Sequence, residues 1–451
     1  MRESTPMTHF VSRTVAVVLF AACCGGAGYL VHMYVGSSVQ PPSPAASSSE
    51  VAAAKSLAAS IADGTPGDDS QDSDEQRRLR AELRKRFGAV AYVGGYKSAP
   101  AHSGVTVHDR SRAFQGLNFY TAGHAQEAYL MDMDGQIVHT WRRDAAESAS
   151  EQNGEDERPQ SWWRRAYLYP DGSLLAIREN VSLAKYDKHS NEIWKLEGQY
   201  HHDLQVLQDG RIFVLTKQKQ RRPYLRKHKE ADDDRITVLD ADGQLLGEVS
   251  ILDAFENSEY SGVPTRSIAV TDVLHTNTIE VLDGRLASKS DAFKSGNVLI
   301  SCLSIDTIAI VDMQQESVVW ALSGMWRMQH QPTVLDNGNI LLFDNRGQAG
   351  SAKVIEFDPF TQRLVWSYKG PTADGWWSRQ LGSNQRLPNG NTLITDSVNG
   401  RAFEVTRRGE MVWEYVNPGR SGESDEFIAV ICEMIRLDPE FPLDWIPGPR
   451  N

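Results

Sequence analysis

From residue 129 onward, short apolar runs and polar turns recur in a fixed order. The unit is an apolar strand, Asp-Gly or Asn-Gly, a second apolar strand, a loop, a third strand, an Asp-led turn, and a strand ending in or near Trp. Its first hairpin reads YLYPDGSLLAI (167–177), LQVLQDGRIFVL (204–215), PTVLDNGNILLF (332–343) and QRLPNGNTLIT (385–395). A further copy, TIEVLDG (278–284), carries an insertion before GNVLISCL. Asn-Gly or Asp-Gly between apolar runs predicts a hairpin, because the tight turn needs positive φ. The second hairpins rhyme too: AKYDKHSNEIWKL, ITVLDADGQLLGEV, IAIVDMQQESVVWAL, VIEFDPFTQRLVWSY and FEVTRRGEMVWEY. Four strands per unit of about 40–50 residues predict an all-β propeller.

Five complete units lie between Arg164 and Val416. A sixth can be assembled from both termini: YLMDMDGQIVHTW (129–141) is a second hairpin without its first, and FIAVICEMIRL (427–437) is a leading strand without partners. Joining them closes a six-bladed ring and removes exposed edges. The globular part, 89–451, is therefore expected to be one β-propeller. With the strands of a blade lettered A to D, A lining the channel, the turns between A and B are tight, so the longer loops at 142–162, 217–234, 253–271 and 371–381 fall on the opposite face, where binding groups usually sit.

The N-terminus changes the compartment. Residues 14–35 hold 22 positions without a formal charge, enough at helical rise to span about 30 Å of hydrocarbon. Arg2 and Arg13 precede this run, which predicts a cytoplasmic tail (1–13), a transmembrane anchor (14–35) and an extracytoplasmic propeller, periplasmic or extracellular. A cleaved signal peptide and lipidation at Cys23 are the alternatives, and both also export the domain. Residues 36–88 read as a flexible Ser/Pro/Ala/Asp tether and a short charged helix. The net charge of −12 argues against nucleic acid as a partner, and four Cys make no disulfide scaffold. Seven Lys or Arg fall within 217–229, a basic stretch suited to drawing in anions.

Candidate chemistry gathers at the openings of the A strands. Arg164, His202, Asn277, His330 and Gly382 each stand five residues before the residue that starts a tight turn, and His275 is two residues before Asn277. Counted from Gly338, His330 and Arg346 are equidistant, which predicts neighbours across a hairpin. Imidazole can act as nucleophile, base or acid, and guanidinium grips planar oxyanions. Such a channel end suits sulfuryl or phosphoryl esters. A metal held by His202, His275 and His330 is a further possibility, but no adjacent carboxylate motif strengthens it. Trp376 and Trp377 are candidates for an aromatic lid.

DVLHTN (272–277), QHQPTVLDNGNILLFDNRG (329–347), LPNGNTLITDSVNGRAFEVTRRGEMVWEY (387–415) and GLNFYTAGHAQEAYLMDMDGQIVHTWR (116–142) resemble the arylsulfotransferase propeller family over about residues 105–440. The resemblance implies transfer of a sulfuryl group from an aryl sulfate to a phenol through a sulfated His, without a cofactor. It implies catalytic roles for His275, His330 and Arg346. His202, Asn277 and Arg164, by their ring positions, and Trp376 and Trp377, by their loop, are the candidates for substrate contacts. One departure stands out. The family's nucleophile is a His downstream of the His–Arg blade, and no His follows His330 here. The alternative expectation is therefore a non-catalytic extracytoplasmic propeller that binds a ligand or protein.

Overall fold

Each Asp-Gly or Asn-Gly turn closes a hairpin as its composition dictates. Leu207 N–H donates to Arg211 O at 2.9 Å and Leu335 N–H to Asn339 O at 2.8 Å, with Gly210 and Gly338 at φ 88° and 85°. A side chain is strained at such angles, so glycine sits there. Successive hairpins build six antiparallel sheets, which we number as blades in ring order. The computed structural model describes residues 97–143, 162–222, 230–269, 271–347, 351–370, 376, 378, 380–421 and 425–446. The expected tail, anchor and tether at 1–88 lie outside them, as do Trp377, most of the 142–162 loop and residues 223–229. Among the described residues no helix is long and apolar enough to cross a membrane.

Blade two is typical: Arg165–Leu168, Leu174–Arg178, Ser182–Tyr186 and Glu192–Glu197 pair in sequence from innermost to outermost. Blades three to six follow the same order, their innermost strands being Tyr200–Val206, Thr276–Val281, His330–Val334 and Ser383–Arg386. Blade one joins the termini. Its innermost strand, Ile431–Arg436, pairs with Asn118–Ala122, and Glu127–Met131 and Ile137–Arg142 complete it. The N-terminal side thus contributes three strands where the sequence pattern showed two. Gly104–His108 also adds a fifth strand, covering the outer edge of blade six.

Two sets of contacts fix the ring. Buried apolar side chains fill the gaps between blades, and Trp141 and Trp413 on the fourth strands of blades one and six donate to Gly172 O (3.0 Å) and Met133 O (2.9 Å) of the next blade. Around the channel, polar side chains reach the neighbouring innermost strand. Asp203 accepts from Ile279 N–H, Thr278 from Gln331 N–H and Gln385 from Arg436 N–H, at 2.8–3.0 Å. At the closure, buried Arg436 pairs with Glu404 at 3.1 Å and donates to Asn118 Oδ1 at 2.6 Å.

Candidate functional site

The innermost strands slip in register where they enter the channel. In blade three Leu204 faces Val214 but His201 faces Leu215, and in blade five Thr333 faces Leu341 but His330 faces Phe343. Left-handed residues accompany the slips: His202 at φ 52°, His275 at 49° and Gln331 at 47°. Such conformations persist only where the surroundings impose them, and they gather at functional sites. Their effect is to turn imidazoles from neighbouring blades toward one mouth of the channel.

There the His202 and His275 rings meet edge to face, centroids 4.8 Å apart. His202 Nδ1 lies 2.9 Å from His201 Nδ1 and 3.4 Å from Glu179 Oε1, and Glu179 Oε2 lies 3.3 Å from Arg164 Nε. His275 bonds through Nδ1 to Asp272 Oδ2. The loop carrying this pair is clamped by the Glu230–Leu239 strand. Asp232 N–H donates to Thr271 O at 2.8 Å, and Thr276 N–H donates to buried Asp234 Oδ2 at 2.7 Å. Asp234 Oδ1 in turn stands 3.6 Å from His201 Nε2.

His330 is held differently. Its Nδ1 lies 2.8 Å from Asn345 Oδ1, while Asn345 Nδ2 donates to Ser378 O at 2.9 Å and Leu381 O at 2.6 Å. Those two carbonyls fix the amide's orientation, so Oδ1 must accept and His330 Nδ1 must carry the hydrogen. The lone pair of the neutral ring is then on Nε2. Burial, aided by the charges of Arg164 and His275 and opposed by Asn345, brings His330 down to about 3.

The other imidazoles divide. Burial, with His275, His201 and Arg164 adding to it, holds His202 well below the ordinary value. Burial brings His201 down to about 3. Burial also opposes a charge on His275, but Asp272, with Asp234 and Glu179 beyond it, outweighs burial and raises this ring above 6.5. The mouth therefore sets His275, whose charge Asp272 favours, and the Arg164 guanidinium beside His330 and His202, where burial favours the neutral ring. This combination can hold an oxyanion, offer a nucleophile and supply a proton. Among the described residues no group of three His, Cys, Asp or Glu is arranged to hold a metal.

His202, His275, His330 and Arg164 thus share one mouth. Arg346 does not stand across from His330 as the count from Gly338 predicted. The hairpin centres on Asn337, the strand slips at Gln331, and Phe343 takes that place. Arg346 instead turns with its own loop, its N–H donating to Arg327 O at 3.1 Å. Asn277 is a brace rather than a free donor: Nδ2 donates to Gln329 O at 2.9 Å and Oδ1 accepts from Thr278 at 3.1 Å. Trp376 is no lid. It is 3% exposed, packs against Phe343, Tyr368 and Phe403, and donates to Asp396 at 2.7 Å. The basic stretch is matched across its ladder by acids, Lys217 opposite Asp234, Lys219 opposite Asp232 and Arg221 opposite Glu230. Sequence reasoning missed Glu179, Asp234 and Asn345. Asp272 had a signal, three residues before His275.

Four residues before each tight turn, a second ring lies deeper. Arg165 bonds Asp203 Oδ1 at 2.8 Å and Glu433, and reaches Gln331 Oε1 at 3.5 Å, so it crosses the channel from blade two to blades three, one and five.

Comparison with known proteins adds the following. The family model described as arylsulfotransferase (ASST) matches residues 166–418. No match was found among curated proteins. Among solved structures, a protein of unknown function from Bacteroides caccae is similar at 12% identity and a TM-score of 0.47, covering 71% of this chain and 98% of its own. A streptogramin B lyase is similar at 12% identity and a TM-score of 0.40, covering 72% and 87%. The virginiamycin B lyase of Staphylococcus aureus, as an inactive variant with quinupristin, is similar at 11% and 0.40, covering 71% and 85%.

Proposed function

Because the chain belongs to the arylsulfotransferase family, we propose that it moves a sulfuryl group from an aryl sulfate to a phenol by way of a sulfated histidine. The observation that carries this reading is the opposite setting of two imidazoles at one mouth, His330 held through Nδ1 by the neutral amide of Asn345 at 2.8 Å and His275 held through Nδ1 by the carboxylate of Asp272. Environments that push paired titratable groups apart assign acid and base roles. His330 Nε2 attacks sulfur, and the S–O bond to the aryl group breaks. His275 gives its proton to the leaving phenolate oxygen, while Arg164 grips the sulfuryl oxygens. A phenol then gives its proton to neutral His202 and attacks sulfur, the N–S bond breaks, and His330 returns to its neutral form, while exchange with solvent restores the proton on His275.

The test is single turnover of the full-length protein with p-nitrophenyl sulfate. A burst of p-nitrophenol and a sulfated peptide containing His330 are expected, and both disappear in His330→Ala. Losing an oxyanion contact typically costs about 10²–10³ in rate, so Arg164→Ala should fall in that range and Arg346→Ala should lose less. A sulfated peptide lacking His330 would refute the assignment. The uncharged run at 14–35 supports a propeller anchored outside the cytoplasm, with its N-terminus inside. A reporter fused after residue 90 should be exported, and recovery of salt-soluble protein would count against an anchor.

One observation favours a non-catalytic binding module. Gly382 holds the blade-six position equivalent to His202 and His330, and a Cβ there would meet the Phe343 ring at 2.7 Å. Position 382 thus admits a side chain only if the Phe343 ring moves. Tight binding of aryl sulfate without a burst would establish that reading.

A further inference from the structure

Behind the mouth, a line of polar groups runs from a buried carboxylate to the channel. Asp234 Oδ1 stands 3.6 Å from His201 Nε2, and His201 Nδ1 stands 2.9 Å from His202 Nδ1. His202 Nε2, on the far side of that ring, is left for the site. His201 and Asp234 are each 2% exposed, and His201 Nε2 has no hydrogen-bond partner within normal reach. We propose that Asp234, His201 and His202 form a proton relay serving the phenolic acceptor, with His202 Nε2 as its outer end and Asp234 as its store. The proposal rests on the sulfuryl-transfer reading and names the base for its second half.

The geometry permits two arrangements. With Asp234 ionised, His201 Nε2–H points at the carboxylate, His201 Nδ1 accepts from His202 Nδ1–H, and His202 Nε2 carries a lone pair. With Asp234 protonated, every hydrogen is reversed and His202 Nε2 becomes a donor. Moving from the first to the second takes one proton from outside. The phenol O–H gives its proton to His202 Nε2, His202 Nδ1–H passes to His201 Nδ1, and His201 Nε2–H passes to Asp234. The sum is phenol plus carboxylate giving phenolate plus carboxylic acid, with both histidines neutral throughout.

The surroundings suit a store that fills and empties near neutrality. Burial, with the Asp272 charge adding to it, lifts Asp234 to about 7, against the Thr276 N–H and His275. Lys217 lies opposite Asp234 in the ladder, and its charge also bears on both relay histidines. Glu179 Oε1, 3.4 Å from His202 Nδ1, favours the arrangement with hydrogen on that atom, the one ready to accept from a phenol.

The experiment has two arms on full-length protein. In the first, ¹⁵N-histidine spectra are followed from about pH 5 to about pH 9, spanning ordinary imidazole and raised carboxyl titrations. His201 and His202 should exchange tautomers together near neutrality, and Asp234→Asn should freeze both. In the second, the sulfated enzyme is mixed with phenols of graded acidity. Asp234→Asn and His201→Gln should slow the acceptor step by at least about tenfold for weakly acidic phenols, a normal loss for a missing base. Phenols already ionised should restore the rate, and His201→Gln should leave the donor burst unchanged. Tautomers that titrate independently, or an acceptor step indifferent to both variants, would overturn the relay. Coupled tautomers in a protein that never forms sulfohistidine would support the relay and remove the transferase reading.

Discussion

His330 and Asn345 form a fixed pair: the imidazole Nδ1–H points at an amide oxygen 2.8 Å away whose own amino group is tied to two backbone carbonyls. An amide that cannot rotate leaves the ring one neutral tautomer. Replacing it by a carboxylate keeps the shape, adds a charge and removes the two hydrogen bonds that the amino group donates. Asn345→Asp should raise the pKa of His330 by about 1–3 units, protonate Nε2 at acid pH, and so block attack there. The donor burst should fall as pH drops below about 6 and recover as pH rises through the new pKa. A burst with the wild-type pH profile would mean that His330 is not the nucleophile.

Asp272 controls the acid in the same way, with the opposite sign. His275 has a raised pKa, so it is protonated below that value and loses its proton as pH rises through it. The donor step should therefore decline on the alkaline side. Asp272→Asn removes the main support for the charge and should shift that decline to lower pH, by about one unit or more. Rapid-mixing measurement of phenol release across pH checks this, and an unmoved limb would assign the acid elsewhere.

Gly382 has φ 108° and Phe343 against its face. Gly382→Ala should cost about 1–3 kcal/mol from backbone strain alone, visible as a lower melting temperature. Gly382→His should destabilise further and give no gain in transfer. A stable and more active Gly382→His protein would show that the blade-six position can be refilled.

Glu280 accepts Val334 N–H at 2.9 Å, and burial pushes its carboxyl up to about 8 from an ordinary 4.5. Its folded pKa is above its unfolded one. Its contribution to stability is therefore complete below the lower value and declines as pH rises toward the upper. Glu280→Gln keeps the acceptor and removes the titration. Its melting temperature should vary less than that of the wild type between about pH 5 and about pH 8. Identical slopes for the two proteins would place the titration on another group.

The repeat was legible because tight turns and apolar strands leave local marks, as Asp209-Gly210 and Asn337-Gly338 do. Equivalent ring positions followed from it, and His202, His330 and Arg164 could be named before any coordinates. The slip at Gln331 could not. A bulge is chosen by the packing of neighbouring blades, and it separated Arg346 from His330 while bringing Asn345 to it. Trp376 failed for a related reason: a Trp in a loop reads the same whether it covers a channel or fills a gap between blades. Glu179, Asp234 and Asn345 come from B and C strands and their connections, where the sequence repeat carries no polar signature.

Arg165, with Asp203 and Glu433 on either side, stretches across the channel behind the mouth like a crossbar. Under the proposed transfer, a departing phenol and an arriving one would then share the mouth as their way in and out. Group transfer on those terms would proceed in alternation, the first ring leaving before the second enters, with the sulfuryl group waiting on the protein meanwhile. An architecture of this kind selects against direct transfer between two phenols bound together. It also makes a slowly released donor ring a competitor for the acceptor.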